Sequence, residues 1–351
     1  MGGLGIEYTA INTDIQALEA SRAPNRVQVG VELTRGLGAG GNAELGERSA
    51  VESEAVVRAC VRNADLIIVT AGMGGGTGSG AAPVVARYAR EVGTPLTLGV
   101  VTLPFAFEGR KRLLAAEKAV EELSRYVDSL VVVPNNNLLG LVSENTPLRD
   151  SFRQADEVLR QAVQAVTDLV TVPGLVNVDF ADVQAVMQNS GTAMIGMGSA
   201  TGRSRAEDAA AMAASSPLLD QSIHAATGIV FNVTGGDDMT LSEINTVSEM
   251  VTSLADPSAN IIFGAVVDPA MRGEMQVPII ATGFDGGGPA WGAPRSAAAA
   301  ASAPPPPPAW GGAAPPPPEG AAAVSLPPQR AFSRREPQRR GLWGRVRSWF
   351  D

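Results

Sequence analysis

Thr70-Ala-Gly-Met-Gly-Gly-Gly-Thr-Gly-Ser-Gly80 lies between the apolar run Leu66-Ile-Ile-Val-Thr70 and the segment Ala81-Ala-Pro-Val-Val-Ala-Arg-Tyr-Ala-Arg-Glu91. The first run reads as a buried strand and the second as a helix, with Pro83 in its first turn, where a missing N–H does no harm. The glycines therefore occupy a strand-to-helix turn. Six of the nine residues from 72 to 80 are glycine, more than a tight turn alone requires. Without Cβ atoms a ligand can approach the backbone, and the free N–H groups and dipole of a helix start suit a phosphate. Thr77 and Ser79 add hydroxyl donors. A Walker loop would end in Gly-Lys-Ser/Thr, and no lysine follows. Gly76-Thr-Gly-Ser-Gly-Ala81 fits the dinucleotide pattern G-x-G-x-x-G/A, but the next strand, Pro95–Leu103, ends in Pro104 without the carboxylate that would hold a ribose.

The rest of the chain restricts the function class. Its 351 residues are 45% apolar, ordinary for a soluble globular protein of two domains with extensions. No stretch is long and apolar enough to span a membrane as a helix. A single cysteine, Cys60, excludes internal disulfides, and with a single histidine, His224, it excludes a Cys/His metal cluster. Both read as packing residues. The net charge of −9 is uneven: after residue 286 eight arginines face Glu319, Glu336 and Asp351, a surplus of five, which leaves −14 on residues 1–286. So acidic a body is a poor nucleic-acid binder.

Gly74-Gly-Gly-Thr-Gly-Ser-Gly80 resembles the glycine-rich signature of the tubulin/FtsZ GTPases, and further motifs follow in that family's order. Asn12-Thr-Asp14 with Gln16-Ala-Leu18 resembles its second nucleotide loop. Leu33-Thr-Arg-Gly-Leu-Gly-Ala-Gly-Gly-Asn42 resembles the third, near the terminal phosphate. Strand-end loops of an open α/β sheet are where a ligand is expected. The resemblance implies that GTP or GDP, with Mg2+ carried by the nucleotide and no dedicated protein metal site, is bound by Asn12, Asp14, Ala39, Gly40, Gly41, Asn42, and Gly74, Gly75, Gly76, Thr77, Gly78, Ser79 and Gly80. In Val100–Arg112 it implies contacts of Glu108 and Arg112 with ribose and phosphates, and Leu103 stands where bacterial relatives commonly have lysine. The family also has an earlier strand, a first glycine-rich loop and a helix ahead of Ile6. Their absence from this sequence implies an incomplete gene model or a fragment, with weakened nucleotide affinity.

Val127–Asn135 reads as another buried parallel strand and loop, and Ser151–Val170 as an amphipathic helix, with apolar residues at Phe152, Ala155, Leu159, Ala162, Val163, Val166 and Leu169. Spacing alone makes Phe152 a core residue; by resemblance its ring stacks on guanine. Asp156 and Glu157 fall at or beside the family's guanine reader, a carboxylate that accepts from the base N1–H and amino group, where adenine would leave it partly unpaired. In Pro173–Val183, Asp179 reads as a helix N-cap in a solvated loop. By resemblance this is the synergy loop. Asn177, Asp179 and Asp182 then enter the nucleotide site of the neighbouring subunit, and the two aspartates polarise the attacking water.

Residues 184–284 read as a second, smaller unit: a helix at Val186–Gly191, strands near Thr192–Met197 and Gly228–Thr234, a helix at Leu241–Leu254, and strands at Ala259–Val267 and Met275–Thr282. Pro278 predicts that the last strand is an edge or begins late. The expected fold class is α/β, a Rossmann-like parallel-sheet GTPase domain (1–150), a central helix with the synergy loop (151–183), an α+β GTPase-activating domain (184–284), a disordered Pro/Ala-rich linker (285–338) and a basic tail (339–351). Leu342, Trp343, Val346, Trp349 and Phe350 share one helical face of the tail with arginines around it. That face suits a partner groove or an anionic membrane, although it does not resemble the short Ile-Pro-x-Phe-Leu peptide by which many relatives hold membrane anchors, and a merely disordered basic tail is an equal reading.

The implied function is a GTP-hydrolysing protein that polymerises head-to-tail into a division ring. Asn189–Met194 and Val251–Asp268 look nearest the plastid and cyanobacterial branches, which implies the chloroplast stroma, with the bacterial cytoplasm as the alternative. Expected partners are further copies of the chain, a second isoform, and ring adaptors held by the tail. Two other classes stay open: a filament that binds GTP without hydrolysing it, and a Rossmann dehydrogenase, for which no ribose carboxylate or catalytic acid/base is evident apart from His224.

Overall fold

Two short strands, β1 (Thr9–Asn12) and β2 (Asn25–Gln28), pair in parallel across helix α1 (Ile15–Ala20), and α2 (Val31–Thr34), α3 (Ala43–Glu52) and α4 (Glu54–Val61) follow. Then come β3 (Leu66–Gly72), α5 (Gly76–Glu91), β4 (Leu96–Leu103), α6 (Arg110–Ser124), β5 (Ser129–Pro134), α7 (Asn135–Leu138) and the long α8 (Leu148–Thr171). The second half comprises α9 (Phe180–Met187), β6 (Gly191–Thr201), α10 (Arg205–Ala214), β7 (Gly228–Gly235), α11 (Leu241–Leu254), β8 (Asn260–Val267) and β9 (Glu274–Thr282). This is a computed structural model, and it describes residues 5–138, 147–172, 178–216, 218–219 and 223–284. The expected linker and tail lie outside the described residues.

A seven-stranded sheet runs in the order β3-β4-β5-β6-β9-β7-β8, parallel from β3 to β6 and antiparallel on both sides of β9. β4 is buried along its whole length because its side chains alternate between two layers. Val101 and Leu103 pack with α3, α4, α5 and α6, while Leu96, Leu98 and Val100 pack with α8 and α9. β1 and β2 form a separate two-stranded sheet. Among the described residues β3 pairs only with β4, so Leu66-Ile-Ile lies half-exposed on an edge.

Three expectations fail. β9 is central rather than an edge: Pro278 sits opposite Met197 of β6, and the β7 ladder lapses between its Phe231↔Ile279 and Thr234↔Gln276 pairs, where Pro278 has no N–H to give. The helix expected at Val186–Gly191 lies earlier, at Phe180–Met187, and Gly191 at φ 71° starts β6. Cys60 and His224 are surface residues, not packing residues.

In the second half, Gly196 and Gly198 of β6 let the alanine-rich α10 lie on the strand, since a Cβ there would meet the carbonyl oxygens of Ala213 at 2.2 Å and Ala209 at 1.9 Å. Arg205, at the start of that helix, is buried, with Nε 2.6 Å from Glu243 and Nη1 2.7 Å from Asp238. Glu243 also closes the capping box of α11 through Thr240. We expect Arg205→Met to lower stability by about 2–4 kcal/mol, somewhat under the range for a fully buried pair because the carboxylates keep some water. Hydrogen bonds from Arg205 hold both carboxyls below the usual range. Their contribution is therefore present above the ordinary carboxylate values and fades as pH falls through the lowered native ones. Denaturant unfolding at pH 7 and in acid should show the gap between wild type and variant narrowing; a gap that persists would refute this assignment.

Candidate functional site

The turn after β3 is built by its own hydroxyls and by its neighbours. Gly74 has φ 92°, and its N–H donates to Ser79 Oγ at 2.8 Å, so Ser79, which is buried, holds the turn shut. Gly75 is the N-cap of the sixteen-residue α5 and has no side-chain cap, which leaves the first N–H groups of a long helix without an internal partner. α5 begins inside the glycine run, five residues before the expected start. Several of these glycines are required by protein packing. A Cβ on Gly76 would lie 2.7 Å from Ala39 Cβ, one on Gly78 2.5 Å from the Gly72 oxygen, and one on Gly80 2.0 Å from the Ala43 oxygen. Gly46 of α3 meets the Gly76 oxygen in the same way, at 2.2 Å. α3 and α5 thus touch backbone to backbone. Gly75 differs, because a Cβ there meets nothing within 4 Å.

Three predicted loops converge on this turn. Thr13 Oγ1 lies 2.6 Å from Thr77 Oγ1, and Gly38 N donates to the Thr13 oxygen at 3.3 Å, joining the 12–14 and 36–42 segments to the start of α5. Asn12 Oδ1 accepts from Asp14 N, and Asp14 caps α1 by accepting from Gln16 N at 2.8 Å. Gly40 and Gly41 take positive φ (56° and 77°) and face open space, and Asn42 caps α3 through Leu45 N. On the other side Glu108 accepts from Phe105 N at 2.8 Å and pairs with Arg112 at 2.7 Å; a Cβ on Gly74 would touch Arg112. Arg112 is half exposed and can turn toward an anion. Open glycine backbone, an uncapped helix start and one available guanidinium fit a phosphate chain. Thr13 was not singled out in the sequence, although it sits inside the quoted Asn12-Thr-Asp14 motif. Full burial and the bond to Thr77 make it the link between two loops.

α8 begins on the same strand-end side, reached through α7, whose Asn136 Oδ1 accepts from Ala106 N at 2.9 Å. The side chain of Phe152 lies outside what the structure describes. The two carboxylates beside it separate. Glu157 is held by Arg160, with Nε to Oε2 at 2.8 Å, and that bond keeps its carboxyl below the usual range. Asp156 makes no hydrogen bond among the described residues, and partial burial pushes its carboxyl up. Nothing described links Asp156 directly to the glycine loops.

The aspartates are elsewhere. Asp179 occupies the N-cap position of α9 as expected, but its carboxylate makes no capping bond; both it and Asp182 are exposed. Asn177 lies outside the described residues. Gln184, half a turn past Asp182, donates to the Pro95 oxygen at 3.1 Å, which fixes α9 at the entry end of β4. The glycine loops are at the exit end. β4 has eight residues, so about 25 Å separates the two ends. The chain brings its phosphate loops together and keeps its aspartates away from them. Among the described residues no group of three or more His, Cys, Asp or Glu side chains could hold a metal ion.

Comparison with known proteins gives the family of the chain. Residues 5–143 match the Tubulin/FtsZ family, GTPase domain, and residues 191–285 match the FtsZ family, C-terminal domain. An empty FtsZ dimer from M. jannaschii is 45% identical, with a TM-score of 0.77 over 80% of this chain and 81% of that one. A tryptophan-to-tyrosine mutant of FtsZ from the same organism gives 45% and 0.77, over 81% and 85%. CetZ2 from Haloferax volcanii, a GTPγS-bound protofilament, is 21% identical with a TM-score of 0.65 over 78% of this chain and 83% of that one, a likeness of fold alone. On the match to both FtsZ domains and the 45% identity, this chain belongs to the tubulin/FtsZ family of GTPases, as a member of its FtsZ branch.

Proposed function

We propose that this chain binds GTP at the glycine loops and hydrolyses it only in a head-to-tail polymer, where Asp179 and Asp182 of one subunit reach the nucleotide of the next. The observation that carries the reading is the separation of the two halves of the site to opposite ends of one sheet. A heterologous contact that joins unlike ends generates an open filament. The related FtsZ dimer supports self-association of the chain. Within the junction the backbone N–H groups of Gly75 to Thr77 hold the phosphates and Arg112 balances their charge. The exposed, uncommitted carboxylates of the incoming subunit orient the water. Mg2+ would enter with the phosphates. A filament that binds without hydrolysing lacks a use for two free carboxylates presented at the joining end.

For the cellular role we propose a division ring, in a plastid or a bacterium, with the chloroplast stroma preferred on Asn189–Met194 and Val251–Asp268. A second isoform and adaptors bound by residues 339–351 are its expected partners. A fluorescent fusion that forms no midplane ring in either setting would remove this part.

The base specificity is tested at α8. Asp156→Ala should lower the preference for GTP over ATP by about 10-fold or more, the loss expected when a paired polar contact is removed. Glu157→Ala should leave the ratio unchanged, because Arg160 already occupies that carboxylate. Nucleotide titrations measure both; a wild-type chain that binds ATP as well as GTP would end the GTPase reading.

A further inference from the structure

α2 is a single turn that its own residues do not cap. It starts at Gly30, which has no side chain to offer, and ends at Arg35, whose φ of 52° is left-handed. A non-glycine residue stays in that region only when its surroundings hold it there. The hold comes from the junction of α3 and α4. Glu52, the last residue of α3, accepts from Glu32 N at 3.0 Å through Oε1 and from Leu33 N at 3.2 Å through Oε2. Ser53 occupies the N-cap position of α4 but makes no side-chain capping bond there; its Oγ accepts from Gly30 N at 3.1 Å instead. N–H groups at the start of α2 that have no partner within the helix are thus taken by side chains 19 to 23 positions away. A Cβ on Gly30 would lie 2.2 Å from Ser49 Oγ, so the turn is pressed directly onto α3.

What α2 carries is a phosphate loop. Its exit leads straight into residues 36–42, and Asn42 is the N-cap of α3. The loop therefore leaves from one end of α3 and returns to the other, a span of about 15 Å for its ten residues. α3 in turn is fixed on α5 by the close backbone contacts at Gly46, Gly76 and Gly80. We propose that Glu52 is a positioning residue for the phosphate site: its carboxylate caps α2 from α3 and so sets where residues 36–42 stand against the start of α5. This role rests on the reading that these loops hold the phosphates of GTP. Between its two anchors the loop is tied only to the 13–15 segment, where Ile15 N donates to the Gly36 oxygen at 3.1 Å and Gly38 N to the Thr13 oxygen, while Gly40 and Gly41 face open space. Without the Glu52 carboxylate α2 frays, a smaller fraction of molecules holds the loop in place, and the apparent affinity falls by that fraction. The sign of the effect is diagnostic. Glu52 is an exposed anion on a helix that borders an anion site, so if it acted through its charge alone its removal would tighten binding.

The test is a titration of fluorescent GTP into the full chain as wild type, Glu52→Ala, Glu52→Gln and Glu47→Ala, at protein concentrations too low to sediment, with residue-resolved amide exchange on the same proteins. Glu47, an exposed carboxylate of the same helix, controls for charge. Glu52→Ala should raise the dissociation constant by about 5-fold or more, the factor that corresponds to one lost helix cap. Glu52→Gln keeps a single acceptor oxygen and should fall between wild type and Glu52→Ala. Glu47→Ala should bind at least as tightly as wild type. Amide exchange at Glu32 and Leu33 should quicken in Glu52→Ala while the melting temperature changes little, because the fraying is local. Unchanged or tighter GTP binding by Glu52→Ala, equal weakening in Glu47→Ala, or unchanged exchange at Glu32 and Leu33 would each overturn the positioning role and leave the phosphate site standing. A wild type that binds no GTP would end both.

Discussion

Asp182→Ala is expected to bind GTP and assemble like wild type while its turnover falls by about 10²–10⁴-fold, the usual contribution of a positioned water-orienting carboxylate. Binding survives because Asp182 is some 25 Å from the loops that hold the phosphates of its own subunit, at the other end of β4. Assembly survives because the substitution removes one exposed side chain and leaves α9 anchored through Gln184. A second variant, Gly75→Arg, fills the open position at the start of α5 and should bind no nucleotide, yet it keeps both aspartates. By itself each variant should release phosphate far more slowly than wild type. Mixed, they form some junctions in which a sound phosphate loop meets a sound aspartate pair, and activity should reappear, highest near equal proportions. Phosphate release across the mixing series decides the matter, with co-assembly checked by sedimentation. Catalysis within one subunit predicts no recovery at any ratio, so a flat series would refute the shared site.

The second large effect separates two kinds of glycine within one signature. Gly80→Ala places a Cβ 2.0 Å from the Ala43 oxygen and 2.4 Å from Glu47 N, both backbone atoms of the α3 region that cannot swing aside as a side chain would. The helices must part, at a cost of about 3 kcal/mol or more. The 39–42 loop, which leads directly into α3, would move with them. Gly75→Ala meets nothing within 4 Å at an ordinary φ of −86°. It should leave the melting temperature nearly unchanged and weaken GTP binding by crowding the phosphate. Calorimetric melting and nucleotide titration of the two variants should give opposite patterns. Equal loss of stability in both would mean that the turn is a packing device throughout.

The fold was legible where local chemistry and periodicity agree. α11 runs over Leu241–Leu254 as its pattern predicts, because Thr240 and Glu243 close a capping box at its start. β4 and β5 were readable as continuous apolar runs, the mark of parallel strands covered on both faces. What failed depended on partners distant in sequence. The central place of β9 rests on a lapse in the β7 ladder opposite Pro278, and a proline read by itself argues for an edge. The early start of α5 rests on α3 needing bare backbone to lie against. The candidate site divides in the same way. Its loops could be located from their glycines. That Glu157 is occupied by Arg160 while Asp156 is not, or that Thr13 ties two loops together, is decided by side-chain geometry that no spacing encodes.

The unshared flank of β3 has a consequence for the chain in solution. Leu66-Ile-Ile lies half-exposed on a strand with one ladder of N–H and C=O groups unpaired among the described residues, and neither a proline nor a charge interrupts it. Natural edges are usually blunted by lysine, proline or a bulge. A flank without such gatekeepers is a template on which any extended segment, including the same run from another copy, can lay down a further strand. Loss of solubility would then start from the native state, at the flank of a folded sheet, and would follow protein concentration more closely than melting temperature.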